Sequence, residues 1–263
     1  MDHWLIWDVM MTIELFLVGI GTGNPKHITI QAIEQLKSAD IIIIPRKENR
    51  KSDLADLRHQ ICNELLKEES PELFEFDLPL RNSEKTYLNA VDEWHDSIAK
   101  IWSKCIENAQ KNLKNRIKSV GLLIWGDPSL YDSSLRIAER LNPNPHITVI
   151  PGITSVQALT AAHRITVNEI GKPLVITTGR EIANFGFPDG IDTAIIMLDG
   201  NCSFTLLEQK IYHIWWGAYL GMEHEVLIEG KLEEVSKVIV ETRRKAREKH
   251  GWIMDSYMLR RRK

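Results

Sequence analysis

The clearest ligand-binding pattern in the chain is a glycine-rich segment, GIGTGNP, which begins at Gly19. Turns of this kind hold dinucleotide phosphates, but the dinucleotide fingerprint needs a third glycine where Asn24 stands. It also needs an acidic residue at the end of the next strand, where Arg46 stands. Pro25 removes a backbone N–H that a phosphate would use. The segment therefore favours another ligand, or a turn that binds none, over a nicotinamide cofactor.

Two further segments place polar groups directly after predicted strands. In WGDPSLYDSS, which begins at Trp125, Gly126 allows a ligand to approach the backbone closely and Asp127 provides a carboxylate. Thr154 and Ser155 provide hydroxyl groups at the turn between a strand and a helix. Such groups can form hydrogen bonds to a ligand. Each also has an ordinary structural interpretation, because Asp-Pro is common in turns and threonine commonly caps helices.

Parallel strands must position these segments, which lie at the carboxyl ends of the strands. The first half of the chain alternates strands and helices as βαβ units do, which predicts a parallel sheet covered by helices. The predicted strands are residues 13–20, 41–44, 73–78, 119–125 and 147–150, with Pro45 ending the second. The predicted helices are residues 29–40, 53–69, 85–115 and a segment that ends at Leu141.

The second half of the chain has more strands and fewer helices. Met197 lies near the end of one predicted strand, where it offers a polarizable apolar contact or belongs to the core. A helix over residues 232–249 has an apolar stripe, and a segment after it could close the sheet. The predicted strands are residues 174–177, 193–198, 211–219, 225–229 and 252–259, and the stripe is Val235, Val238, Ile239 and Thr242.

The length of 263 residues fits one large domain but better fits two of ordinary size, with the proline-rich segment 142–146 as the candidate boundary. We expect a first domain over residues 11–142 and a second over residues 143–263. Residues 1–10 are apolar but contain Asp2 and Asp8 and have no basic start, so they do not form a signal peptide. We expect them to be a non-essential extension.

Charge and cysteine content argue against several classes of protein. The net charge of −3 argues against a partner bound mainly through phosphates, so no nucleic acid is expected. The three cysteines lack the spacing of a zinc site or a disulfide framework, which fits a reducing cytoplasm and predicts no metal. No apolar run is long enough to span a bilayer, so no membrane partner is expected.

The segment GIGTGNPKHITIQAIEQLKSADIIIIP resembles the opening signature of the tetrapyrrole methylases, in which a strand runs into a GxGPGDP loop and a helix. Thr22 and Asn24 depart from that loop, where the family usually has proline and aspartate. WGDPSLYDSS and PGITSVQALTAAHRI resemble two later family segments, and TTGR and Met197 follow in the expected order. The resemblance covers about residues 11–259, which is nearly the whole chain.

Within the family, the similarity is closest to the branch that methylates precorrin-5 and releases acetate, giving precorrin-6A. The segments that carry this similarity are IPRKENRKSDLADLR, FEFDLP, WHD, WGAYLGM and GWIMDSY. The resemblance implies two α/β domains, each a sheet flanked by helices, with S-adenosylmethionine in the cleft between them. It also implies a homodimer.

Site residues follow from the resemblance by position. The cofactor would lie against Thr22, Gly126, Asp127, Leu130, Thr154, Ser155, Met197 and Gly221. The polycarboxylate substrate would need cations, and Arg46, Lys47, Arg136 and Arg180 are candidates, with Arg164 a further one. Arg50 and Lys51 are as well explained by a solvated loop. Many methylases carry an aspartate where Pro45 and Arg46 stand, so a general base cannot be carried over from them.

Loss of the acetyl group needs a general base and an oxyanion donor. His95, Asp127, Asp132 and His163 are candidates by chemistry, and none is assigned. Four alternatives to this function stay open. They are a sister methylase for another precorrin, a non-catalytic tetrapyrrole-binding protein, a nicotinamide oxidoreductase and an RNA methylase.

Overall fold

The computed structural model describes residues 12–46, 53–67, 71–79, 87–113 and 116–262. These residues form two compact units. The second unit consists of the chain from Ile153 onward together with the short segment Thr22–Asn24. Lys47, Arg50, Lys51 and the expected extension over residues 1–10 lie outside the described residues.

The first unit contains a sheet of five parallel strands in the order β3-β2-β4-β1-β5. Its central strands are apolar and almost fully buried, as expected for a parallel sheet covered on both faces. The strands are β1 (Glu14–Gly19), β2 (Ile41–Arg46), β3 (Glu72–Asp77), β4 (Ser119–Ile124) and β5 (His146–Ile150). The helices are α1 (Ile30–Lys37), α2 (Asp53–Ile61), α3 (Tyr87–Leu113) and α4 (Ser134–Ala138).

Strand β2 does not end at Pro45, as the sequence predicts, but continues to Arg46. Its pairing with β4 stops at Ile43, whereas its pairing with β3 continues through Arg46. Pro45 therefore lies where β2 has a neighbour on one side only, and a strand tolerates the missing N–H there.

Strand β5 pairs with β1, so it belongs to the first sheet. The first unit therefore extends through Gly152, past the proline-rich segment at which the sequence places a domain boundary. Proline marks a turn in the chain, but strand pairing decides which sheet receives the next strand.

The second unit contains a mixed sheet in the order β6-β7-β10-β8-β9. The sequence leaves the last strand to close the sheet, whereas β10 lies in the middle of it. Tyr257, Met258 and Leu259 in β10 are fully buried, and this suits a central position. The elements are α5 (Ser155–His163), β6 (Leu174–Thr178), α6 (Gly179–Phe185), β7 (Thr193–Met197), β8 (Tyr212–Ala218), β9 (Val226–Lys231), α7 (Leu232–His250) and β10 (Asp255–Arg261).

Strand direction in this sheet brings three strand ends to one edge. β6 and β7 are parallel, and β10 is antiparallel to both β7 and β8. β6, β7 and β8 therefore run the same way and end at the same edge, beside the first residues of β10.

Helix α7 packs on this sheet through Leu232, Ser236 and Ile239. Val238 belongs to the apolar stripe that the sequence predicts, but its side chain is 54% exposed. Among the described residues, no helix is both long enough and apolar enough to cross a membrane.

Candidate functional site

Three loops of the first unit meet at the carboxyl ends of β1, β4 and β5. Gly21 and Gly126 pair as a short bridge, in which the Gly126 N–H donates to the Gly21 carbonyl at 2.8 Å. A Cβ on Gly19 would lie 2.6 Å from the Gly152 nitrogen, and one on Gly152 would lie 2.1 Å from the Gly126 oxygen. The loops can approach this closely only because Gly19 and Gly152 carry no side chain.

Asp127 ties two of these loops together. One carboxylate oxygen accepts the Gly152 N–H at 2.9 Å, and the other accepts the Ser129 N–H at 2.8 Å and the Ser129 hydroxyl. Burial raises the pKa of Asp127, but the hydrogen bonds from Ser129 and Gly152 outweigh it and leave the pKa below its usual value. The carboxylate is therefore ionised near neutral pH.

Gly126 and Leu130 flank Asp127 in the same loop. Gly126 has a left-handed backbone (φ 67°), and the Leu130 N–H donates to the Asp127 carbonyl at 3.2 Å. The loop is thus a tight turn closed by its own backbone. The turn that the sequence suggests at Asp127 is therefore present. The Asp127 carboxylate still has lone pairs available to a cationic ligand.

In the second unit, Thr154 caps the start of α5. Its hydroxyl oxygen accepts the Val156 N–H at 3.1 Å, and the Gln157 side chain accepts the Thr154 N–H at 3.2 Å. This is a capping box, so the structural interpretation of Thr154 holds. The neighbouring Ser155 hydroxyl lies 3.1 Å from the Ser256 hydroxyl in β10.

Met197 and Gly221 lie at the same edge of the second sheet as Ser155. Met197 is the half-buried last residue of β7, and the pairing of Tyr257 with Ile196 places Ser256 beside that strand end. Gly221 follows the end of β8, with φ 80° and its N–H donating to Glu225 at 2.7 Å. Thr22 is buried and belongs to this unit.

Buried Asp199 holds the loop that follows Met197. It accepts the Ser203 N–H at 2.6 Å and the Tyr257 hydroxyl at 2.7 Å. Burial, with Asp199 beside it, raises the pKa of Tyr257, so this hydroxyl stays protonated and donates. A Cβ on Gly179 would lie 2.4 Å from the Asp199 carboxyl carbon, so Asp199 also packs against the start of α6.

The predicted substrate cations differ in their surroundings. Arg46 donates to Asp77 at 2.8 Å and to Glu75 at 3.3 Å, and the first of these bonds lowers the pKa of Asp77. Two carboxylates thus balance its charge.

The other predicted cations within the described residues are exposed. Arg136 donates to the Asp132 carbonyl at 3.2 Å, and Arg180 lies in the first turn of α6. Arg164 is exposed and ends α5 in a left-handed conformation.

Two candidates for the base of deacylation have structural partners. His163 lies 3.1 Å from the Trp216 carbonyl through Nε2 and 3.3 Å from Glu229 through Nδ1, so it holds α5 on the sheet. Asp132 accepts the Ser134 N–H at 2.6 Å, at the start of α4.

His95 on α3 has a different environment, since it is only 3% exposed. Within the described part of the chain, its Nε2 has no hydrogen-bond partner. Burial lowers its pKa, and the positive charges of Arg140 and Arg136 add to this effect. His95 is therefore neutral near pH 7.

Sequence reasoning missed Arg58 on α2. Its Nε donates to the Leu123 carbonyl at 3.0 Å, near the carboxyl end of β4. Burial lowers its pKa to about 10, although the charge of Asp132 opposes that shift. The segment IPRKENRKSDLADLR contains Arg58, so the branch similarity could have identified it.

Comparison with known proteins confirms the family that the sequence resembles. A family model described as Tetrapyrrole (Corrin/Porphyrin) Methylases matches residues 14–236. A curated relative, the precorrin-6A synthase (deacetylating) of Sinorhizobium sp., is 44% identical over 252 residues, which cover 94% of this chain and 95% of the relative.

Solved structures have the same architecture. The cobalamin synthesis related protein CobF of Corynebacterium diphtheriae is 34% identical and superposes with a TM-score of 0.78, over 94% of this chain and 98% of that one. A uroporphyrin-III C-methyltransferase of Thermus thermophilus, complexed with S-adenosylhomocysteine, has a TM-score of 0.51 at 15% identity, over 94% and 96% of the chains. At that identity the likeness shows the fold.

Proposed function

The chain belongs to the tetrapyrrole methylase family, and we propose that it methylates precorrin-5 and releases acetate, giving precorrin-6A. The observation that carries this proposal is the 44% identity to a precorrin-6A synthase over nearly the full length of both chains. The 34% identity over 94% of the chain to CobF, a cobalamin synthesis related protein, supports a role in cobalamin synthesis.

S-adenosylmethionine supplies an electrophilic methyl group on a sulfonium centre. The described residues fit such a donor, since Asp127 is ionised and can face a cation, and Gly126 leaves its backbone open to close approach. In the second unit, a hydroxyl, a thioether and a left-handed glycine gather at one edge of the sheet. We assign the donor to Thr22, Gly126, Asp127, Leu130, Thr154, Ser155, Met197 and Gly221.

Methyl transfer to a nucleophilic ring carbon needs mainly alignment of the two reacting centres. Holding them in line can contribute about 7–11 kcal/mol to lowering the barrier. The proposed work of this chain is therefore to orient both molecules. The loops suit that task because short backbone contacts and buried hydrogen bonds hold them.

The carboxylates of the substrate call for fixed cations. We assign them to Arg136 and Arg180, and we add Arg58 because its guanidinium lies at the end of β4, beside the loop that carries Asp127. Arg46 is a weaker candidate, since Asp77 and Glu75 already balance its charge. Lys47 remains a candidate from the sequence alone.

We also propose, by analogy with the family, that the protein acts as a homodimer in the cytoplasm. Light scattering of the purified protein tests the oligomeric state. A mass of one chain would contradict it.

The test of the reaction is incubation of the purified protein with methyl-labelled donor and, in separate reactions, precorrin-5 and an earlier precorrin. Mass spectrometry of the precorrin-5 product should show the gain of one labelled methyl group and the loss of one acetyl group. Methylation of the earlier precorrin alone, without acetate, would point to a sister methylase. Failure to bind S-adenosylhomocysteine in calorimetry would point to a non-catalytic tetrapyrrole-binding protein.

A further inference from the structure

The loop after β8, residues 219–225, begins with an unusual backbone conformation. Tyr219 has φ 53°, in the left-handed region that large side chains rarely adopt, and it is only 1% exposed. Such a conformation persists only where the surrounding structure imposes it.

The Tyr219 side chain is fixed at its far end. Its hydroxyl donates to the Trp252 carbonyl at 2.6 Å, and the Ala246 carbonyl lies 3.2 Å away. The Trp252 ring packs edge-on at 5.0 Å, and the rings of His224 and His250 lie 4.3 Å and 5.2 Å away. The hydroxyl thus locks a ring that aromatic neighbours already surround.

The Tyr219 backbone sets the rest of the loop. Its N–H donates to the Met254 carbonyl at 2.9 Å, and its own carbonyl accepts the Met222 N–H at 2.9 Å. Gly221 lies inside the turn that this second bond closes. A rotation of Tyr219 would therefore move Gly221, whose N–H is held by Glu225.

These contacts join two of the segments that carry the branch similarity. Tyr219 belongs to WGAYLGM, and Trp252 and Met254 belong to GWIMDSY. The same two segments are also joined by Trp216, whose ring N–H donates to Asp255 at 3.0 Å. These hydrogen bonds hold the two segments together at the start of the 219–225 loop.

We propose that Tyr219 is a positioning residue, which fixes the conformation of the 219–225 loop so that Gly221 can receive the methyl donor. The inference rests on the proposed function, in which Gly221 contacts S-adenosylmethionine. Tyr219 acts through the loop, because its buried ring faces Trp252 and the two histidines. Its hydroxyl should therefore govern donor affinity more than the rate of methyl transfer.

The test is Tyr219→Phe, which keeps the ring and removes the hydroxyl. The Kd for S-adenosylhomocysteine and the KM for the donor should rise about fivefold, the factor that one ordinary hydrogen bond corresponds to. The kcat and the KM for precorrin-5 should stay within twofold. Tyr212→Phe is the matched control, because Tyr212 is a buried tyrosine at the opposite end of β8 and should leave donor affinity unchanged.

Hydrogen exchange gives a readout that does not depend on activity. The amides of Gly221 and Met222 should exchange faster in Tyr219→Phe than in the wild type, while the amides of β8 stay protected. Unchanged donor affinity in Tyr219→Phe, or an equal loss in Tyr212→Phe, would overturn the inference and leave the proposed function intact. A wild-type protein that does not bind S-adenosylhomocysteine would overturn both.

Discussion

The candidate loops of the two units are held in different ways. In the first unit, Gly19 and Gly152 let backbones touch where a Cβ would collide with a neighbouring loop. In the second unit, buried side chains such as Asp199 and Tyr219 hold the loops through hydrogen bonds. Added atoms should therefore do the most damage in the loops of the first unit, and lost polar groups in those of the second.

The largest effect is expected for Gly152→Ala, because its Cβ would lie 2.1 Å from the Gly126 oxygen. Overpacking against backbone should cost about 3 kcal/mol of unfolding free energy or more, with loss of donor binding. Urea unfolding measures the first and calorimetry the second. Gly200→Ala is the control, since a Cβ there meets nothing within 4 Å and should cost less than about 0.5 kcal/mol. Equal effects of the two changes would refute the glycine account.

Asp199→Asn should cost almost as much in the second unit, about 3 kcal/mol of unfolding free energy. The two oxygens of Asp199 accept from Ser203, Tyr257 and Asn201, so an amide would turn its NH₂ group toward a donor in either orientation. Asp189→Asn, at an exposed position of the same unit, should change stability by less than about 0.5 kcal/mol. A tolerated Asp199→Asn would show that side-chain hydrogen bonds do not hold this loop.

Two arginines in the first unit differ in their surroundings and should differ in their contribution to substrate binding. Arg58→Gln should raise the KM for precorrin-5 about tenfold, or about 1.4 kcal/mol, because it removes a cation at the end of β4. Arg46→Gln should change that KM less than about twofold, because Arg46 is an exposed residue already paired with two carboxylates. Steady-state kinetics at fixed donor concentration measures the KM for precorrin-5 in both variants. A larger rise in Arg46→Gln than in Arg58→Gln would instead identify Arg46 as the substrate cation.

Asp127→Asn is the smallest expected effect and the one side-chain test in the first unit's loops. The lowered pKa of Asp127 means that its carboxylate stabilises the folded state above the ordinary value of 3.8. That contribution is lost as the pH falls through the folded pKa. The wild type should exceed the variant by about 1 kcal/mol in urea unfolding at pH 7, and the gap should close below pH 3.8. A gap that persists in acid would contradict the ionic role.

Local patterns predicted much of the fold. The apolar segments before Gly19 and Gly126 predicted β1 and β4, because strands of a covered parallel sheet are apolar on both faces. The sequence left open whether the glycine-rich segment after β1 binds a ligand or only forms a turn. The structure shows that Gly19 in this segment permits close contact with the Gly152 backbone. The assignment of the cofactor residues, from Thr22 to Gly221, stays a prediction.

Features that depend on distant partners could not be read from the sequence. The position of β10 in the middle of its sheet follows from pairing with β7 and β8, which no local pattern encodes. The sequence leaves His163 an unassigned candidate for the base, because its structural partners, Trp216 and Glu229, lie 53 and 66 residues away along the chain. Arg46 likewise meets its carboxylates on the neighbouring strand β3.

A crystal structure of the protein with bound S-adenosylhomocysteine is the most direct test of the proposed donor site. We expect the ligand to lie against the backbone at Gly126 and beside Met197 and Gly221. A ligand bound away from the ends of β4, β7 and β8 would contradict it.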